Sequence, residues 1–150
     1  MRAIQIPMLN RSPSPSILLV SSLAAVIPAP TRSLYASTKA ASLTLYQSMS
    51  IEHPNITFTV VIPSTVEGDL RSKALDADVV ASAPLLGHGS RNHPLKRDDV
   101  AKRCIQAVDS GEHTVFMPSA YRWVHLLYWL WPSIVERGAR KRYNYTAPST

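Results

Sequence analysis

The sequence predicts an α/β fold, a doubly wound parallel sheet of about three strands with flanking helices. Three observations carry that expectation. The run at 17–20 (Ile-Leu-Leu-Val) is continuously apolar, as strands buried on both faces are. The stretch 34–50 lacks Gly and Pro and is closed off by Pro54, which reads as a helix. Residues 57–62 (Thr-Phe-Thr-Val-Val-Ile) are β-branched or aromatic throughout, the composition of a strand. Strand, helix and strand in succession form a βαβ unit, with parallel strands and a right-handed crossover.

The remaining elements follow in chain order. The proline-spaced Ser-Pro segment 11–16 is a loop leading into the first strand. Ser33 or Thr31 can cap the helix 34–50, since a short hydroxyl side chain satisfies a free backbone N–H there. After Pro63 comes a turn, then a polar helical stretch at 67–81 and a Gly/Pro/His-rich loop at 84–94. A helix at 98–110 starts on Asp98 and Asp99, which suit its positive N-terminal dipole, and stops at Gly111. Its Val100, Cys104, Ile105 and Val108 have amphipathic spacing. Residues 114–117 form a third short strand. An aromatic helix at 121–137 follows, with Val124, Leu127, Trp131 and Ile134 on one stripe. Residues 144–150 read as a frayed tail.

Composition narrows the functional classes. At 150 residues with 45% hydrophobic and 17% charged side chains, the chain has the size and apolar content of one globular domain. Its single cysteine, Cys104, excludes an intramolecular disulfide framework and a Cys-rich zinc site. Cys104 reads as a core residue. Five histidines show no His-Glu-x-x-His spacing, so no metal site is expected. The net charge of +6 is uneven: residues 119–150 hold Arg122, Arg137, Arg140, Lys141 and Arg142 against Glu136 alone. No run of apolar residues is long enough to span a bilayer. However, all three tryptophans lie at 123–131 just before these basic residues, a pairing that suits a membrane interface. Covering a substrate pocket is the other reading of that helix. No aromatic–basic platform for nucleic acid is evident.

One polar constellation carries chemistry. Ser22 lies just past the carboxyl end of the first strand, Tyr35 starts the next helix, and Lys39 is four residues on. Residues four apart share a helix face, so Tyr35 and Lys39 can point into one site. A phenol is ordinarily a poor base at neutral pH. An ammonium nearby favours its ionised form, which suits the pair to proton transfer. Ligands of open α/β sheets sit beyond the carboxyl ends of the strands, where these residues are expected. Alone, Tyr-x-x-x-Lys is a weak signal, and without further context a partly exposed helix face is the favoured reading.

The segment Ile-Leu-Leu-Val-Ser-Ser-Leu-Ala-Ala-Val-Ile-Pro from Ile17, with Leu-Tyr-Ala-Ser-Thr-Lys-Ala-Ala from Leu34, resembles the catalytic half of the short-chain dehydrogenase/reductase family. The family places a Ser thirteen residues before the Tyr, as with Ser22 and Tyr35. The segment Val-Val-Ile-Pro-Ser-Thr-Val from Val60 is similar to the strand and loop beside the nicotinamide. The hydroxysteroid-dehydrogenase-like branch is the nearest in character. The resemblance implies an NAD(P)-dependent oxidoreductase moving a hydride to or from a small-molecule carbonyl or alcohol. Tyr35 would be the general acid/base, Lys39 would support it and hold the nicotinamide ribose, and Ser22 would orient the substrate oxygen. Pro63, Thr65 and the backbone of Val66 would flank the carboxamide of NAD or NADP, and 67–92 would form a substrate lid. Helices near 3–9 and 34–50 resemble those the family uses to dimerise.

The sequence also departs from the family. The Gly-rich turn that receives the pyrophosphate is absent, since the only Gly-x-Gly is Gly87-His-Gly89, with no strand before it. Pro63-Ser64 stands for Pro-Gly, and Gly68 stands where a cofactor-binding Thr is common. The expectation is therefore the carboxyl-terminal half of a Rossmann-type sheet. Residues 1–118 would be a partial catalytic domain, and 119–150 an aromatic helix and basic tail. Such a protein would be cytoplasmic or peripheral on a membrane such as the endoplasmic reticulum. The alternative is a catalytically inactive remnant that acts as a partner- or membrane-binding module.

Overall fold

The computed structural model describes residues 6–9, 11–68 and 94–143. In chain order the elements are α1 (Ile6–Leu9), β1 (Ser16–Val20), a 3₁₀ turn (Leu23–Ala25), α2 (Ser33–Glu52), β2 (Thr57–Pro63), α3 (Arg97–Asp109), β3 (Thr114–Met117), α4 (Tyr121–Leu130) and α5 (Pro132–Tyr143). The three strands form one parallel sheet in the order β1-β2-β3, with Ser16 opposite Thr57 and Val60 opposite Thr114. This is the open α/β sheet the sequence predicts.

β2 occupies the centre, and its side chains divide between two cores. Because successive strand residues point to opposite faces, Val60 and Ile62 pack with Leu43 of α2. Val61 instead joins Val100, Cys104 and Ala107 of α3, together with Val115. Phe58 extends the α2 side through an edge-on contact with Tyr46, ring centroids 6.4 Å apart. Apolar contacts on both faces explain why β2 is buried from Phe58 to Pro63 and is β-branched or aromatic up to Ile62. The strands advance in one direction while α2 and α3 lie on opposite faces, so the return through α3 has the opposite hand to the return through α2. Mixed hands are uncommon in parallel sheets. They allow three strands to be covered on both sides.

Sequence expectation and structure differ at four places. On α3, Ile105 of the expected apolar spacing is 63% exposed, and Ala107 joins Val100 and Cys104 in the core instead. Helix α2 starts as predicted, but its N-cap is Arg32, which makes no side-chain capping bond. Neither Ser33 nor Thr31 serves, because Thr31 has a positive φ of 64°. The helix expected at 67–81 lies outside the described residues except for Glu67 and Gly68. These two are not helical: Val66 bridges Leu95 in parallel, and the Glu67 N–H donates to the Leu95 carbonyl. The single helix expected over 121–137 is two. Pro132 lacks an N–H and disfavours helical geometry at the residue before it, and Trp131 sits at φ −139°, ψ 73°. Trp131 is thereby turned outward, while Val124 and Leu127 stay half-buried against the cavity and Ile134, itself 54% exposed, borders it.

The stop of α3 follows the sequence closely. Gly111 adopts a left-handed φ of 65°, which its missing Cβ permits. Its N–H and that of Glu112 close back on the Val108 and Ala107 carbonyls in a Schellman arrangement. Arg103 then grips Glu112 with two bonds of 2.8 Å. That contact holds the Glu112 carboxyl below its usual range and pins the helix end to the turn before β3. Cys104 lies in the core, where burial pushes its thiol up, in keeping with an inert role. Leu34, Leu45 and Ile51 project from α2 into solvent. Residues 3–5 of the expected first helix lie outside the described residues.

Candidate active site

The carboxyl ends of β1 and β2 open into a cavity of about 790 Å³. Ser22, Tyr35, Lys39, Pro63, Thr65 and Val66, all the residues singled out in the sequence, line it together. Strand β1 ends at Val20, and the chain turns at Ser22 into the 3₁₀ turn. Ser22 caps that turn from an extended backbone, its Oγ accepting the Ala24 N–H at 3.3 Å. Its own O–H remains as a donor.

Helix α2 supplies the other two members. Tyr35 lies in its first turn, and Lys39, one turn later, points the same way. The Lys39 Nζ donates to the Val20 carbonyl at 3.3 Å. That bond ties the ammonium to the carboxyl end of β1 and uses one of its three donors. Among the described residues no hydrogen bond holds the Tyr35 hydroxyl. Its ring lies under the Arg32 guanidinium, whose carbon is 4.3 Å from the ring centroid.

Between β2 and α3, Thr65 and Val66 continue the wall. The Leu95 N–H donates to the Thr65 carbonyl and the Glu67 N–H to the Leu95 carbonyl. In a parallel bridge of this register the N–H and C=O of Val66 itself face away from Leu95. Helices α4 and α5 cover the cavity from the far side through Tyr121, Val124, Leu127 and Ile134. An Arg142–Tyr121 hydrogen bond of 3.4 Å joins the two helices.

Three contributors escaped the sequence reading. Arg32 is signalled only by its position three residues before Tyr35, which places the pair on one helix face. Arg142 reaches the cavity because the chain breaks at Pro132 and folds back. Ser21 is the third: it is buried and lines the cavity, and among the described residues its Oγ has no hydrogen-bond partner. Among the described residues no cluster of His, Cys, Asp or Glu could hold a metal ion.

A parallel sheet with hydroxyls and an ammonium gathered beyond its carboxyl ends defines the ligand-binding α/β class. The short chain dehydrogenase family model matches residues 1–78, more than half of the chain, and the chain belongs to that family. It is 30% identical over 147 residues to 11-beta-hydroxysteroid dehydrogenase A of Arachis hypogaea, covering 89% of this chain and 40% of that protein. It is 28% identical over 138 residues to 11-beta-hydroxysteroid dehydrogenase-like 3 of Arabidopsis thaliana, with the same coverage of 89% and 40%. Its fold matches a short-chain dehydrogenase from Sphingobium yanoikuyae, solved in complex with NADPH, at a TM-score of 0.60 and 19% identity. That match covers 96% of this chain and 51% of the bacterial one. The chain thus spans about 40% of the length of these curated relatives.

Proposed function

We propose that the cavity supports nicotinamide-dependent oxidoreduction of a small-molecule carbonyl or alcohol, with Ser22, Tyr35 and Lys39 as its polar groups. The carrying observation is that these three line one cavity with Pro63, Thr65 and Val66. The residues present fit the nicotinamide end of NAD or NADP. The backbone N–H and C=O of Val66, which face away from Leu95, and the two remaining Lys39 donors offer polar contacts in an otherwise largely apolar wall. When bound, the cofactor supplies or accepts the hydride. Tyr35 moves the proton at the substrate oxygen, and the Ser22 hydroxyl donates to that same oxygen and orients it. Lys39 sits one helical turn behind Tyr35, tied to the Val20 carbonyl, and its remaining donors would hold the ribose hydroxyls. Residues 1–118 act as the catalytic portion, and the helices of 119–150 close over the substrate.

Reduced nicotinamide mononucleotide is the fitting probe, since it carries only the part of the cofactor that these residues address. The chain is expected to bind it, and Lys39→Ala to weaken binding roughly ten-fold, the worth of a charge-assisted hydrogen bond. Fluorescence titration measures both. Absence of binding to the native chain would favour the inactive, partner- or membrane-binding reading instead.

A second reading concerns the outer face of α4 and α5. Trp129 is 78% exposed, with Trp123, Leu130 and Trp131 also turned outward, and the exposed Arg137, Arg140 and Lys141 follow on α5. Among the described residues no helix is long and apolar enough to cross a membrane. Aromatic and basic side chains side by side suit the surface of an anionic bilayer. In flotation assays the chain is expected to rise with vesicles containing phosphatidylserine and not with pure phosphatidylcholine. Loss of that difference in a Trp123→Ser/Trp129→Ser variant would assign the contact to this face, and failure of the native chain to float would end the idea.

A further inference from the structure

We infer that Arg32 is a positioning residue for Tyr35: its guanidinium, stacked on the ring, holds the phenol in one orientation within the cavity. The inference rests on the reading of Tyr35 as the group that moves the proton. Arg32 is only 7% exposed, and arginine is almost never buried without a compensating partner. Part of that compensation is the ring face, 4.3 Å from the guanidinium carbon to the centroid. This lies well inside cation–π range, and a planar guanidinium can lie flat on an aromatic ring.

The backbone leading to Arg32 points the same way. Thr31 has φ 64°, a conformation that β-branched residues rarely adopt and that glycine favours. Arg32 itself takes the N-cap position of α2 without a side-chain capping bond, although Ser, Thr, Asn or Asp is preferred there. Two consecutive residues thus break local rules, and together they bring the guanidinium over Tyr35. Arg32 and Tyr35, three residues apart, both line the cavity, whereas Ser33 and Leu34 between them are exposed.

The physical effect concerns orientation. With no hydrogen bond among the described residues holding its hydroxyl, the Tyr35 side chain would otherwise sample more than one rotamer. A flat cation on the ring face restricts that motion, so the phenol oxygen stays near where a substrate oxygen beside Ser22 would lie. Arg32 acts through Tyr35 and is given no contact with the reacting atoms.

NMR of the native chain tests the stacking directly. The Arg32 Hδ and Hε signals are expected upfield from the ring current of Tyr35. They should stay upfield in Tyr35→Phe, which keeps a ring, and return to ordinary positions in Tyr35→Leu. In Arg32→Met the Tyr35 ring signals should move and their cross-peaks to cavity side chains weaken, with partial recovery in Arg32→Lys. In a carbonyl-reduction assay Arg32→Met should lower kcat on the order of 10-fold, as loss of orientation does, and leave KM for the carbonyl nearly unchanged. Arg32 signals indifferent to Tyr35→Leu would overturn the inference, as would unchanged Tyr35 signals in a folded Arg32→Met chain. Should Arg32→Met fail to fold, the Tyr35→Leu comparison decides alone. Failure of the catalytic reading looks different: turnover survives Tyr35→Phe while the Arg32 shifts stay as described.

Discussion

Tyr35→Phe is expected to lower kcat for carbonyl reduction roughly 10²–10⁴-fold, the usual worth of a positioned acid or base. The substitution removes one oxygen and little else. Among the described residues the Tyr35 hydroxyl carries no hydrogen bond, so no structural contact is lost with it. The ring remains to stack under Arg32, and the half-buried position at the start of α2 is as suitable for Phe as for Tyr. The expected signature is therefore a catalytic loss with an unchanged unfolding transition and little change in binding of reduced nicotinamide mononucleotide. Ser22→Ala should show a smaller loss, since in the proposed mechanism it removes a donor to the substrate oxygen and leaves Tyr35 in place. The Ser22 Oγ also caps the 3₁₀ turn through Ala24, so its variant should lose some stability as well. Single-turnover kinetics with calorimetry separates these outcomes, and full turnover in a folded Tyr35→Phe protein would remove Tyr35 from the mechanism.

Ile62→Ala is expected to destabilise the fold by about 2–5 kcal/mol, the range for truncating a fully packed aliphatic side chain. Ile62 is 2% exposed on the central strand and packs with Leu43 of α2 and with Val60. Leu19, Leu23 and Phe116 close around that cluster. The side chain therefore joins all three strands, α2 and the turn that carries Ser22. Total stabilities of single domains are only about 5–15 kcal/mol, so the loss is a large share. Ile105→Ala is the control: that residue is 63% exposed on α3, and its truncation should fall within about 0.5 kcal/mol of the native chain. Urea unfolding compares the two. Similar midpoints would show that the β2 cluster is not the core on which the site is built.

Much of this arrangement was legible in the sequence because its signals are local. The apolar run at 17–20 and the β-branched run at 57–62 specify strands through the residues they contain. The third strand, 114–117, carries the same signal and has its predicted bounds. Gly111 ends α3 because only a residue without Cβ adopts the left-handed turn cheaply. The spacing of Tyr35 and Lys39 on one helix face needs no tertiary information, and both side chains reach the same cavity. The misses share an opposite cause. Thr31 looks like a good cap, but its backbone is turned into a left-handed conformation by the chain around it. The stripe at 124–134 has unbroken apolar spacing, yet the missing N–H of Pro132 splits the helix and swings Trp131 out of the line.

What the sequence by itself determined is the identity of the elements, their parallel order and the types of side chain available to the site. These depend on side-chain period, β-branching and helix stops, which act over a few residues. Which groups meet was decided only by tertiary structure. The assignment of α2 and α3 to opposite faces and the gathering of Ser22, Lys39 and Thr65 around one cavity arise from packing between segments far apart in the chain. So does the folding of α5 back over the cavity. Such contacts are chosen by how whole surfaces fill space together, and no local window of residues carries that information.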